Sequence, residues 1–337
     1  VEGLVNPEGG SDPLEHLLAL AGLAEEARAD YVQSRLMGAR RDGLGNVWAG
    51  EGRLLLMAHL DTVLPPAPPE RLGGRLYGPG VGDNASGVAV LLSLPPMPGV
   101  VRAFTVGEEG LGNLRGARAL VEALRPEVVV AVDGYLPMVV DRALGSVRLR
   151  VAFLGPGGHA WGDRGRPNPV LALAEGVAQA YRLPLSPEAS LNVGRLEGGE
   201  AVNAIPRRAE ALLEVRSTDP QELARLEAAL GDLFRGKAEA HRLGVELEVL
   251  GRRPAGRTAT DELLEAARRG LEAVGERPLF VPGSTDASAG VERGLPALAF
   301  GVYRGEGAHT LGEWVELESL RRGRAALLAF LQALGVG

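Results

Sequence analysis

Apolar residues recur at three- and four-residue spacing through residues 14–37, which predicts a helix with one buried face. Strands are expected next, at 46–49 and 54–58. The second is a continuous apolar run that closes on polar residues, the form taken by a strand covered on both faces. Runs at 100–106, 128–132 and 297–301 have the same form, and helical spacing fills 85–94, 113–124 and 261–274. Strand alternating with helix predicts an α/β domain: a mostly parallel sheet with helices on both faces.

The middle of the chain follows another rhythm. At 146–154, Val147, Leu149 and Val151 alternate with Arg148 and Arg150, as in a strand with one wet face. A helix is expected at 169–180, strands at 191–196 and 209–215, a helix at 220–241 and a strand at 245–250. Four strands and two helices describe a small α+β domain of the ferredoxin-like kind. It is expected at 146–254, inserted into a larger domain made of 1–145 and 255–337.

Composition narrows the chemistry. With 45% hydrophobic and 23% charged residues, the 337-residue chain has the makings of a folded protein with a sizeable core. No apolar run approaches the ~20 residues of a membrane span, and no basic-then-apolar leader opens the sequence, so a cytoplasmic protein is expected. The net charge of −7, with no basic stripe, argues against nucleic acid as a partner. Cysteine is absent, which removes thiol catalysis and every Cys-ligated metal site. Lys237 is the sole lysine, which disfavours Schiff-base and P-loop enzymes.

The polar residues that remain gather at strand ends. His59 and Asp61 close the 54–58 strand; two residues apart in extended chain, they face the same way, and the carboxylate can hold the imidazole's tautomer. Asp83 falls in a glycine-rich run, Gly78 to Gly87, at the start of a helix, where a plain N-cap is the other reading. Gly80 to Ala85 also fits G-x-G-x-x-A, but an aspartate inside that loop would repel a pyrophosphate. Glu108 and Glu109 follow the 100–106 strand, Asp133 ends the 128–132 strand, and His309 lies beyond the 297–301 strand. Loop polarity explains each singly. Together, two histidines and three carboxylates with one to spare suit the N/O preference of zinc where cysteine is missing. His16 and His241 read as packing or surface residues, and no G-x-S-x-G elbow offers a serine nucleophile.

In order along the chain stand His-Leu-Asp-Thr-Val (59–63), Gly-Asp-Asn-Ala-Ser-Gly (82–87), Gly-Glu-Glu-Gly (107–110), Asp133-Gly134 and Ala308-His309-Thr310. This series resembles the co-catalytic dizinc metallopeptidase family twenty, which has peptidase T, glutamate carboxypeptidase, acetylornithine deacetylase and succinyl-diaminopimelate desuccinylase among its members. The resemblance implies two divalent ions, zinc with cobalt or manganese as alternatives, bridged by Asp83. His59 and Asp133 complete one site; Glu109 and His309 complete the other. Asp61 then orients His59, and Glu108 is the general base.

By the same resemblance the inserted domain is a lid and dimerisation domain of a homodimer. His159, in Gly155-Pro-Gly-Gly-His-Ala, reaches the active site of the other subunit, and Asn203 and Arg216 bind a substrate carboxylate. Asp286, in Gly283-Ser-Thr-Asp-Ala, belongs to a substrate-side loop. Aspartate at 133 favours an aminopeptidase or dipeptidase over an N-acyl-amino-acid deacylase or carboxypeptidase. A nonhydrolytic metal binder on the same fold is the remote alternative.

Overall fold

The computed structural model describes residues 10–336, which divide into two compact units: one of 10–143 with 257–336, the other of 144–256. The first is built on an eight-stranded sheet. Its order is Arg40–Arg41, Val47–Ala49, Gly99–Thr105, Gly52–His59, Val128–Val132, Ala297–Phe300, Met138–Ala143 and Leu279–Gly283. Gly52–His59 runs parallel to both its neighbours, and Ala297–Phe300 runs parallel to Val128–Val132. Antiparallel pairs occur toward the flanks.

Alternation along the central strand explains why two helical layers form. Leu54, Leu56 and Ala58 point into one core, shared with helices Ala85–Ser93, Asp261–Glu272 and Ser319–Ala333. Leu55 and Met57 point into the opposite core, with helix Arg115–Leu124 and the short helix Ala287–Glu292. A strand buried on both faces has no use for polar side chains until it ends. The polar residues therefore collect at the carboxyl edge.

Some expectations needed correction. The single helix over 14–37 is two, Pro13–Leu20 and Glu25–Arg35. Asp12 caps the first by accepting the Leu14 N–H, and the chain turns beyond it at Gly22, whose φ of +76° suits glycine. Apolar spacing persists across such a break because both pieces face the same core. Strands Met138–Ala143 and Leu279–Gly283 and a four-stranded sheet of very short strands (Glu70–Leu72, Arg75–Tyr77, Gly305–Glu306, Trp314–Glu316) carry too little pattern to be read beforehand. The C-terminal helix Ser319–Ala333, by contrast, buries Leu320, Leu327, Phe330 and Leu331 at helical spacing and adds to the expected elements.

The second unit is an antiparallel sheet in the order Ala189–Gly198, Arg208–Ser217, Gly145–Leu154, Gly244–Arg253. Helices Pro169–Ala180 and Pro220–Ala240 cover one face, over a core that includes Val151, Phe153, Leu213 and Phe234. Among the described residues, no helix is long and apolar enough to cross a membrane.

Candidate metal centre and active site

Parallel register brings the strand ends level. His59 lies beside Thr105, and Val132 lies beside Phe300, so the segments carrying 59–61, 108–109, 133 and 309 leave one edge of the sheet. Open α/β sheets bind ligands at this edge, because neighbouring loops diverge there and leave room.

Asp83 stands at the centre of the cluster. Its Oδ1 is 2.9 Å from His59 Nε2 and its Oδ2 is 2.9 Å from His309 Nε2. His309 Nε2 is also 2.9 Å from Glu109 Oε1, while His59 Nε2 is 3.9 Å from Asp133 Oδ2. Two donor sets thus share one carboxylate. The N-cap of helix Ala85–Ser93 is Asn84, whose side chain accepts the Gly87 N–H at 3.1 Å, so Asp83 is not spent on capping.

The donors fit divalent ions. Ligand atoms on a tetrahedral zinc with bonds near 2.0 Å stand ~3.3 Å apart. Here one atom each of His59, Asp83 and Glu109 lies within 4.8 Å of the others, and the pairs given above span 2.9 to 3.9 Å. The acids are also crowded: burial, then the charge of Asp83, pushes the Asp133 carboxyl up to about 7. Hydrogen bonds to Asp83 and Glu109 push His309 up to about 10. His59 rises well above its ordinary value although burial opposes its charge, because Asp61 and Asp83 hold its proton. Divalent cations would take the place of those protons.

Asp61 does more than hold a histidine. Its main-chain carbonyl is 3.1 Å from His59 Nδ1, whereas its carboxylate Oδ1 is 3.5 Å away. The carbonyl is therefore the nearer of the two Asp61 groups, with the carboxylate also close. The carboxylate accepts the N–H groups of Glu108 at 3.0 Å and Glu109 at 2.8 Å. Glu25 accepts the Gly107 N–H at 3.0 Å. Gly107 itself, with φ of +63°, lies under the Arg115 guanidinium, where a Cβ would collide at 2.1 Å. Glu108 is buried, and His309 is half exposed with φ of +66°, a left-handed backbone that costs a non-glycine residue about 1 kcal/mol.

Sequence reasoning missed Glu313 and Arg28. Glu313 accepts the N–H groups of Gly80, Gly82 and Asp83 at 2.6, 2.8 and 2.7 Å. The N–H groups that a G-x-G-x-x-A loop would offer to a pyrophosphate are therefore already taken by an internal anion. Buried Arg28 donates to the carbonyls of Leu60 and Gly80. An acid just ahead of a short strand and an arginine in an amphipathic helix look like surface residues until their distant partners are known. Asp286 is only 2% exposed and accepts the Thr105 hydroxyl.

The second unit brings His159 and Asn203 together and keeps Arg216 apart. His159 pairs across a two-residue ladder with Ala204, and the Asn203 carbonyl accepts the Ala160 N–H at 2.9 Å. His159 is exposed, and its Nδ1 accepts the N–H groups of Trp161 and Gly162 at 3.2 and 3.1 Å. In the neutral ring that leaves the proton on Nε2, a donor facing outward. Arg216 is held by Glu214 at 2.6 Å near the Ser217 end of strand Arg208–Ser217. From Arg208, five residues after Asn203, to Arg216 is roughly 27 Å of strand. His241 caps helix Pro220–Ala240 and bonds Glu175, while His16 is buried.

Comparison with known proteins agrees with this architecture. Residues 55–333 match the peptidase family M20/M25/M40. Succinyl-diaminopimelate desuccinylase of Erythrobacter litoralis is 25% identical over 281 residues, 75% of this chain and 73% of the relative. Aminopeptidase PepT from Bacillus cereus superimposes with a TM-score of 0.78 at 22% identity, covering 96% of this chain and 97% of that one. A dinuclear metal binding peptidase of the M20 family from Bacillus subtilis does so with a TM-score of 0.70 at 16% identity, covering 96% and 97%. With the family matched over most of its length and its fold shared with solved members, this chain belongs to peptidase family M20/M25/M40.

Proposed function

We propose that the chain hydrolyses amide bonds in small substrates with two divalent ions, zinc first among them, held by His59, Asp83, Glu109, Asp133 and His309. One observation carries the reading: each oxygen of Asp83 faces its own histidine, so the carboxylate is placed to be shared. Bound there, the ions would supply Lewis acidity to the substrate carbonyl and acidify a water.

The protein's own groups do the rest. Glu108 takes a proton from the attacking water and delivers it to the leaving nitrogen. Asp61 fixes the peptide N–H groups of Glu108 and Glu109, which sets base and ligand as one piece. His159, with its proton on Nε2, donates to the oxyanion as it develops. Asn203 and Arg216 bind a substrate carboxylate. Given the length of strand between them, one small substrate meets Arg216 and the His159–Asn203 pair only if these come from different copies, which a homodimer through the 144–256 unit supplies.

Aspartate at 133 favours a free-amine substrate, hence an aminopeptidase or dipeptidase. The desuccinylase relative favours a second reading, an N-acyl-amino-acid deacylase. Matched peptides decide: each pair shares one scissile bond and differs only in a free or acylated amino terminus, with enzyme loaded with zinc or cobalt. Cleavage of the free set is expected. Cleavage of the blocked set alone moves the protein to the deacylases, and cleavage of neither, with two ions bound, sinks the hydrolase reading for these substrates.

A further inference from the structure

The geometry points to Glu313 as a positioning residue that fixes the main chain from which Asp83 reaches both histidines, a role that rests on the two-ion reading of the cluster. Glu313 is only 2% exposed, and burial pushes its carboxyl up. A buried carboxylate is costly unless several donors meet it. Here Oε1 takes the N–H groups of Gly82 and Asp83, and Oε2 takes that of Gly80. Its main-chain carbonyl takes the Gly78 N–H at 2.9 Å as well. Arg28 closes the opposite side of the loop by donating to the Gly80 carbonyl, and its second bond, to Leu60, reaches the segment between His59 and Asp61.

The consequence is mechanical. The loop from Gly78 to Asp83 has polar groups on both sides of its backbone gripped by side chains from distant parts of the unit. Displacing the main chain that carries Asp83, and with it the point from which its carboxylate reaches either histidine, then requires breaking bonds to a buried anion. Glu313 also lies four residues past His309, on the same segment. One stretch of chain therefore supplies a ligand to one donor set and fixes the residue shared by both. Groups that orient metal ligands typically hold 10- to 100-fold in metal affinity.

Glu313→Gln tests this, because the substitution keeps the shape. Whichever way the amide turns, its NH2 faces at least one loop N–H, so the grip fails on one side. Cobalt(II) titration followed by visible absorption, with bound metal measured independently, is expected to show two ions on the wild type. On E313Q the second ion should bind 10- to 100-fold more weakly, with an altered spectrum. Leu320→Ala, a cavity in the same core, is the control: it should lose thermal stability yet keep both affinities and the wild-type spectrum. Should E313Q fail to fold, amide exchange on the wild type takes its place, and the N–H groups of Gly80, Gly82 and Asp83 should be protected. Exchange at the rate of exposed loops would overturn the role. So would an E313Q that binds two ions as the wild type does, or an L320A that loses metal equally. A wild type that takes up no cobalt overturns the two-ion reading itself, and the inference with it.

Discussion

His59 and His159 are the two histidines assigned to chemistry in different units, and their surroundings are opposite. His59 is buried, bonded through both nitrogens and surrounded by Asp61, Asp83 and Asp133. His159 is exposed on a two-residue ladder, its ring fixed only by two N–H groups on Nδ1. The contrast matches the roles proposed for the two. A group that holds a cation benefits from a fixed place among anions out of water, where the attraction is strongest. A group that meets a substrate must stay accessible and donate at the right moment, so only its tautomer is set.

The largest break in this comparison is at the shared carboxylate. Asp83→Ala should abolish tight binding of both ions, seen as metal content after dialysis; unchanged content would end the bridging assignment. Glu108→Ala in the same assay should keep both ions while turnover falls by at least about 10²–10⁴. Metal loss there would mean that Glu108 and Glu109 have been exchanged.

A smaller effect belongs to the exposed partner. His159→Ala should lower kcat by about 10²–10³, the usual loss of one oxyanion donor, with metal content and melting temperature unchanged. A fall in metal content would move His159 out of the donor role.

The smallest effect sharpens the point about burial. His16 is 6% exposed like a ligand, but its partners are Ser11 at 2.6 Å and Tyr31 at 2.9 Å, with no carboxylate bonded to it among the described residues. Burial first, then Arg35, lowers it to about 4. The unfolded chain therefore takes up the proton first. Stability from neutral His16 is complete above the unfolded value of 6.5 and is lost as pH falls toward 4, by up to about 3 kcal/mol. His16→Phe should flatten that part of the stability–pH curve in denaturant titrations. An unchanged slope would place the acid sensitivity elsewhere.

Much of the cluster could be read without coordinates because buried strands leave their polar residues at their ends. His59, Glu109, Asp133 and His309 stood out for that reason, and Asp83 for its place at a helix start; the structure does bring them together. Glu313 did not stand out. The residue whose N–H it accepts at Asp83 is 230 positions away, and nothing in Gly312-Glu313-Trp314 announces it. Nor does the Gly-Ser-Thr-Asp-Ala run tell that packing turns the Asp286 carboxylate inward to Thr105.

The sequence alone determined the α/β plan of a sheet covered on both faces, the second rhythm of 146–254 and the restriction of metal chemistry to nitrogen and oxygen donors. These depend on periodicity and residue type, which are local. Tertiary structure decided which oxygen of Asp83 faces which histidine, that Asn84 rather than Asp83 caps the helix, and that the Asp61 carbonyl is nearer His59 than its carboxylate. Those choices are made by hydrogen bonds between residues far apart in the chain and by a few ångströms of packing. No local pattern contains them.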